Sequence, residues 1–497
     1  MNHKILLLPS QKTISVEHGA NLLHTLTEHG ILLPAACGGR GSCGKCKVSL
    51  VEGHVEGASP DAHGEILSCH ARVVEDLTIG ILSSITDEKS PVSVAPTVSS
   101  ERTVDVLLDV GTTTLAWSAI DRTNGKECSH GTALNPQGAC GADVLTRIKA
   151  WGEGKGELLQ RLVLDATRDA LQHVAEETGA TLGRLIVAAN PTMLHLFVGV
   201  DPSTIGVYPF TPVFKDTKHL SGEELSLPVQ SVTLLPSAHA YIGSDVTAGV
   251  IATDLHRTTD TELLVDVGTN GEIVLTHKGR MFATSCAAGP ALEGASIECG
   301  MGGVSGAISH VRAERGELIY ETVDNAPPIG ICGSGLIDLI ALLVREGLID
   351  ESGAWDEETD SFLAPRLSDD RFYLCDNVYL SQADIRQFQL AKSAIAAGIV
   401  TLLAEQGLCE EDVHRVHLAG GLGFYMSIPN AIATGLLPEF PEERIQAVGN
   451  SALSGAKKYL LEEDAPQEIE RVATQSENLE LSFSSRFSQE YVERMSF

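Results

Sequence analysis

The sequence is short of positive charge, of aromatic rings and of long apolar runs. Its 497 residues carry 35 Lys and Arg against 66 Asp and Glu, for a net charge of −31 at pH 7. So acidic a surface argues against nucleic acid or an anionic membrane as the main partner, because both repel it. Aromatics make up only 5% of the chain. The most apolar stretch, residues 393–404, is about half the ~20 residues that a spanning helix needs. The opening Met-Asn-His-Lys-Ile-Leu-Leu-Leu-Pro lacks the long apolar region and small-residue cleavage site of a secretory signal. A cytoplasmic, reducing location is therefore expected. There is no G-x-x-x-x-G-K-[ST] loop, no G-x-G-x-x-G behind a strand-like run and no H-E-x-x-H pattern. Those absences remove P-loop chemistry, NAD or flavin binding and a catalytic zinc.

Cysteine and glycine, by contrast, are plentiful, at 11 and 48 residues. An odd cysteine count in a chain this long does not read as a disulfide framework. The length predicts more than one core. Residues 1–82 hold four of the cysteines and end in a strand-like run. Residues 83–101, rich in Ser, Thr, Pro and Val, read as a flexible linker. From residue 102 short β-branched runs alternate with helical patterns, the mark of an α/β unit that extends to residue 462. Strands are predicted at 104–108, 185–189, 263–267 and 415–418, and helices at 158–178, 334–345 and 384–405. Residues 463–497 are polar and acidic and read as a mobile or peripheral C-terminal tail.

The cysteines of Cys37-Gly-Gly-Arg-Gly-Ser-Cys43-Gly-Lys-Cys46, with Cys69, are spaced x5, x2, x22. Four thiolates, three from one glycine-rich loop, match the ligation of a [2Fe–2S] cluster. Glycines let the loop wrap tightly and turn backbone N–H groups toward the sulfides. A structural zinc site is the alternative, since Cys43-x-x-Cys46 alone would suit one. The five residues between Cys37 and Cys43, three of them glycine, favour the cluster. This segment resembles the plant and vertebrate ferredoxin family, which implies a β-grasp fold with Cys37, Cys43, Cys46 and Cys69 as ligands.

One internal repeat dominates the rest. Leu107-Leu-Asp-Val-Gly-Thr-Thr-Thr114 recurs as Leu264-Val-Asp-Val-Gly-Thr-Asn-Gly271, with the aspartates 157 residues apart. Each is an apolar strand ending in Asp, a Gly-Thr turn and a second strand-like run. Turns of this kind offer backbone N–H and hydroxyl donors to phosphate. The strand-end Asp can hold Mg²⁺ through water. A third glycine motif, His417-Leu-Ala-Gly-Gly-Leu-Gly423, follows another strand. Together they resemble the phosphate-1, phosphate-2 and adenosine motifs of the actin/Hsp70/sugar-kinase superfamily, which implies a duplicated RNase H-like ATPase domain over 102–462. The resemblance carries ATP contacts onto Gly111, Thr112, Thr113 and Thr114, onto Gly268, Thr269, Asn270 and Gly271, and onto Gly420, Gly421 and Gly423. Asp109 and Asp266 become the Mg²⁺-side acids. Asp245, on a predicted helix after Gly243, is a candidate for positioning water or metal, or else a first-turn acid stabilised by the helix dipole. Glu293 is open in the same way. Gly333 and Ser334 either face nucleotide or cap a helix.

Further segments, among them Asn190-Pro-Thr-Met-Leu-His195, Ala287-Ala-Gly-Pro-Ala-Leu-Glu-Gly294 and Gly449-Asn-Ser-Ala-Leu-Ser-Gly455, resemble those of reductive activators of corrinoid proteins. That resemblance implies an electron-transfer ATPase that returns Co(II) corrinoid to Co(I), served by a low-potential electron donor, and it suggests a homodimer. Larger relatives carry a middle domain between ferredoxin and ATPase, for which 19 residues leave no room. The alternative is a small-molecule kinase or ATP-dependent hydrolase of the same superfamily with a regulatory Fe–S domain. Anaerobically purified protein is expected to be brown, with two irons and two labile sulfides per chain and a rhombic EPR signal on reduction. Cys37→Ser or Cys69→Ser should abolish that signal, whereas stoichiometric zinc without iron would overturn the cluster assignment.

Overall fold

The computed structural model describes residues 2–33, 39, 44–61, 63–81, 85–86, 102–356 and 358–497. Ile5, Leu7, Ile14 and Val16 are buried at alternate positions of Asn2–Leu8 and Lys12–Glu17, the period-two pattern of strands with one wet face. They belong to a five-stranded sheet in the order Lys12–Glu17, Asn2–Leu8, Leu77–Gly80, Lys47–Glu52, Glu65–Leu67. Its first and last chain segments, Asn2–Leu8 and Leu77–Gly80, run parallel. The helix Leu22–Glu28, capped by Asn21, buries Leu22, Leu23 and Leu26 against the sheet core. This is the expected ferredoxin-type fold. Of the expected linker, Ile85–Thr86 is described and pairs antiparallel with Ile31–Leu32. Residues 83–84 and 87–101 lie outside the described residues.

The repeated motif is repeated architecture. The first half has strand order Glu127–Leu134, Thr114–Asp121, Thr103–Val110, Thr181–Ala189, Ser231–Leu234, Lys218–Ser221. The second has Ile445–Gly449, Arg415–Ala419, Glu262–Val267, Gly271–His277, Arg280–Cys286, Glu477–Asn478. In both, an antiparallel three-strand meander opens the unit. Parallel strands then extend the sheet on the far side of its first strand. Near-continuous apolar runs such as Leu185 to Ala189 fit strands covered on both faces. The expected helices appear as Gly156–Thr178, which ends on left-handed Gly179, Gly333–Arg345 and Gln382–Glu405. The last of these is long and apolar enough to cross a membrane by length and composition, but most of it is buried in the protein.

The halves are joined by two crossing helices, Ser244–Ala252 from the first and Ser451–Leu461 from the second. They meet almost at backbone contact. A Cβ on Gly455 would lie 1.9 Å from the carbonyl oxygen of Ala248, so no other residue fits there. Around the crossing, Val246, Val250, Ala452 and Ala456 share one core with Leu107, Ile186 and Leu264.

The segment 463–497 is not a loose tail, and that expectation needs correcting. Ala465–Gln475 is a helix whose Ala465, Ile469, Val472 and Ala473 are buried, a helical apolar stripe hidden in a polar composition. Ser485–Glu493 lies against Gln382–Glu405. There the buried ammonium of Lys392, which burial pulls down to about 8, donates to the carbonyls of Arg494 and Ser496 at 2.8 and 2.5 Å.

Gly455→Ala should force the crossing helices apart. It is expected to destabilise the protein by about 3 kcal/mol, the upper part of the usual overpacking range. A thermal melt of the purified variant checks this, and an unchanged midpoint would show that the crossing has slack.

Candidate functional site

The two Asp-Gly-Thr turns face each other at the bottom of the cleft between the halves. In the first, Asp109 lies opposite Ala116 in the ladder, whereas in the second Asp266 lies opposite Glu272, so two acids share one cross-strand pair. The Thr113 and Thr269 hydroxyls are 3.4 Å apart. Both donate to one oxygen of Glu293, from Thr113 at 2.5 Å and from Thr269 by a shorter contact. Glu293 thus ties the two turns together, one from each half. The first turn is held from below: Asn135 donates to the Gly111 carbonyl at 2.8 Å and Asn190 to the Thr112 hydroxyl at 3.2 Å. The fully buried Arg147 donates to the Thr112 carbonyl, to Gly141 O, to Gln137 Oε1 and to the sulfur of Met193. All are neutral acceptors. Burial lowers the guanidinium to about 10, so it stays charged beneath the turn.

Asp245 stands in the first turn of the helix Ser244–Ala252, beside Gly243. Asn450 caps the other crossing helix and donates from Nδ2 to Asp109 at 2.7 Å, reaching from the second half to the first. The structure therefore brings Asp109, Asp245 and Asp266 together. It adds Glu272 and Asn450, which the sequence reading did not single out as site residues. Glu272 is a plain Glu in an apolar strand, visible only through its register opposite Asp266. Asn450 lies in the quoted segment Gly449–Gly455, but nothing local marks its bond to Asp109, and Arg147 lies in none of the quoted motifs.

Gly420, at φ +92°, crosses directly over Asp266. A Cβ there would meet Asp266 Oδ1 and the Val267 carbonyl, each at 2.7 Å. Gly421 faces open space. Gly333 packs against the Leu292 carbonyl, next to Glu293. Ser334 neither caps its helix nor turns its hydroxyl to the cleft, because it donates to the Ser309 carbonyl at 2.8 Å. Only backbone N–H groups remain there for a ligand.

In the N-terminal domain Cys46 and Cys69 are buried, and Cys37 and Cys43 lie outside the described residues. The Cys46 carbonyl accepts from Ser68 Oγ at 2.8 Å, and the Cys69 carbonyl from Asn21 Nδ2 at 2.7 Å. Gly39, midway along the cysteine loop, passes beside the distant cysteine: a Cβ on it would lie 3.9 Å from that of Cys69.

The cleft concentrates negative charge. Burial, and then the neighbouring Asp245, push Asp109 up to about 7. Burial followed by Asp245, Asp109 and Glu293 does the same to Asp266, also to about 7. Burial raises Asp245 to about 6, and burial with Asp245 and Asp266 raises Glu272 well above the carboxylate range. The three aspartates keep some solvent contact, so they line the cleft and are not sealed within it. A carboxyl whose folded value lies above its unfolded one contributes stability when protonated, and that contribution is lost as pH rises from about 4 toward 7. Asp266→Asn should therefore stabilise the nucleotide-free protein at pH 8 by on the order of 2 kcal/mol, discounted for solvent access from ~1.4 kcal/mol per pH unit. At pH 4 the gain should vanish. Melts at both pH values check this, and equal effects at each would show that ionisation is not the cause.

Three family models match in succession: a "2Fe-2S iron-sulfur cluster binding domain" over residues 5–74, the "RACo middle region" over 104–258 and the "C-terminal domain of RACo the ASKHA domain" over 260–497. The middle region is thus the half that carries the first Asp-Gly-Thr turn, and it lies after residues 83–101, not within them. The chain is 31% identical to "Corrinoid activation enzyme RamQ" of Eubacterium limosum, over 78% of this chain and 69% of that protein. It is 26% identical to "[Co(II) methylated amine-specific corrinoid protein] reductase" of Methanosarcina barkeri, over 63% of this chain and 62% of that one. The solved structure of a "Reductive activator for corrinoid,iron-sulfur protein" superposes with a TM-score of 0.75 at 30% identity, covering 100% of this chain and 98% of that one. With a ferredoxin-type domain joined to a duplicated ASKHA unit, the chain belongs to the reductive activators of corrinoid proteins.

Proposed function

We propose that this protein uses ATP hydrolysis to pass one electron to the Co(II) form of a corrinoid protein, regenerating Co(I). The observation that carries this reading is the meeting of the two Asp-Gly-Thr turns over Glu293 in a chain that also bears the cysteine loop. Thr113 and Thr269 already present donors to an oxygen anion. Phosphate oxygens would take those donors, with the backbone N–H groups of the Gly111 and Gly268 turns and the charge of Arg147 behind them. Of the three glycines, the exposed Gly421 leaves the nucleoside a bare backbone to lie on, whereas Gly420 sits over Asp266 and Gly423 is buried against Leu418.

Asp109, Asp245 and Asp266 would hold hydrated Mg²⁺, which supplies charge to offset the phosphates and these acids alike. Among the described residues no three His, Cys, Asp or Glu converge closely enough to ligate an ion directly, which favours contact through water. Asp245, near 6, is largely ionised at neutral pH and serves to orient attacking water and accept its proton. Cys37, Cys43, Cys46 and Cys69 would hold the cluster, whose chemistry is the release of one electron as Co(II) gains it. A low-potential donor must then reload that electron. Each ~100 mV that the transfer runs uphill corresponds to roughly 2.3 kcal/mol, within what a change of shape driven by nucleotide can supply.

Asp109→Ala and Asp266→Ala are expected to remove ATP turnover while leaving the visible spectrum of the cluster intact. Both should also abolish ATP-dependent appearance of Co(I) absorbance when the protein is mixed with a reduced donor and a Co(II) corrinoid protein. Parental ATP turnover in both variants would show that the turns are structural. Phosphorylation of a metabolite in place of cobalt reduction would favour a kinase.

A further inference from the structure

Lys45 lies between two of the expected cluster ligands, Cys43 and Cys46, yet its side chain belongs to another domain. Its ammonium donates to the carbonyls of Ile297, Glu298 and Gly300 at 2.8, 3.0 and 3.0 Å. All three acceptors are backbone carbonyls of one short segment. The acceptors converge because residues 294–300 form a closed curl. Its ends nearly touch: a Cβ on Gly300 would lie 2.2 Å from the Gly294 carbonyl, and one on Gly294 2.5 Å from the Met301 nitrogen. The far side is pinned by Glu298, whose N–H donates to Asp384 at 2.8 Å and whose carboxylate accepts from Tyr379 at 2.8 Å.

The residue that opens this curl is Glu293, the acceptor shared by Thr113 and Thr269. It is joined to the curl by a hydrogen-bonded turn, with Gly294 N–H on Ala291 O at 2.9 Å and Ala295 N–H on Pro290 O at 3.1 Å. We propose that Lys45 is a positioning residue that docks the N-terminal domain on the second half of the ATPase unit, and that nucleotide undocks it by displacing Glu293.

The physical step is a competition. A γ-phosphate seeks the same two hydroxyls that Glu293 occupies, and two anions cannot share them. Expelling Glu293 drags the turn at 290–295 and with it the carbonyl cage. Lys45 loses these three carbonyls, and the N-terminal domain is freed to face a partner. Without nucleotide the electron carrier stays folded against its own motor. This inference rests on reading the turns as a phosphate site.

The test uses the full-length protein with its cluster, followed by small-angle X-ray scattering without nucleotide and with Mg²⁺ and a non-hydrolysable ATP analogue. A compact chain of this length has a radius of gyration of ~23 Å. The parent should stay near that value without nucleotide and expand by a few ångströms with the analogue. Lys45→Met should be expanded in both conditions, and Lys45→Arg should restore the parental response. Gly300→Ala, which spoils the cage without touching the cluster loop, should behave like Lys45→Met. ATP turnover should persist at the parental rate in Lys45→Met, because Lys45 does not touch the nucleotide cleft. A Lys45→Met protein with an intact cluster spectrum, the parental radius and the parental nucleotide response would overturn the proposal. So would a parent whose radius ignores the analogue while it still hydrolyses ATP. A parent that hydrolyses no ATP would overturn the phosphate-site reading itself.

Discussion

The crossing of two helices at Gly455 and Ala248 is the contact on which the cleft depends. Each helix belongs to a different half, and each starts at the cleft floor, delivering Asp245 from one side and Asn450 from the other. Because the crossing is at backbone contact, the positions of both N-termini are coupled to within the play of one methyl group. Asn450 then bonds Asp109 across the divide. A rotation of one half against the other must therefore pivot near this crossing, where it moves the acids least and the rims of the cleft most.

Four acids gathered at that pivot oppose folding, and little in the chain neutralises them. Asn450 offers one dipole to Asp109, and Arg147 keeps its charge below the first turn but gives its hydrogen bonds to neutral acceptors. Strain of this kind is held by the surrounding fold and tends to collect where a ligand will relieve it. A hydrated divalent cation with a polyphosphate, the ligand proposed above, would supply both the missing charge and the missing acceptors. The same strain gives the ligand its leverage, since a ligand shifts an equilibrium only by its differential affinity for the two states. Glu293 sharpens this difference, because it must be in place in one state and out of place in the other.

What the sequence revealed were features written in local spacing. The cysteine intervals, the twin Asp-Gly-Thr turns and the glycine run at 420–423 are each confined to a few residues, and backbone chemistry fixes what such residues can do. The strands and helices were legible for the same reason, through their apolar periods. The helix Ala465–Gln475 escaped notice because its apolar stripe is short, no more than Ala465, Ile469, Val472 and Ala473, and the composition around it is acidic. Glu272 depends on strand register, Asn450 and Arg147 on contacts across tens to hundreds of residues, and Lys45 on the docking of two domains. None of these has a local signature. A lysine beside a cluster cysteine reads as a solvated charge until the three carbonyls that receive it are seen.

The placement of Lys45 also bears on why an electron carrier and an ATPase share one chain. A tethered domain is at an effective concentration of order millimolar toward its own target, far above what two separate proteins at micromolar concentration would reach. Such proximity is a hazard as well as a gain, since a low-potential carrier that is always presented would lose its electron to any acceptor it met. A single ammonium in a cage of neutral carbonyls is a weak enough clasp to be opened by one displaced carboxylate, with hydrogen bonds to a charged donor worth roughly 1.5–3 kcal/mol each before solvent competes for them. A carbonyl cage is tied to backbone geometry, and here that geometry is continuous with the turn carrying Glu293. Presentation of the electron can therefore be made conditional on nucleotide through the turn that joins Glu293 to the carbonyls holding Lys45.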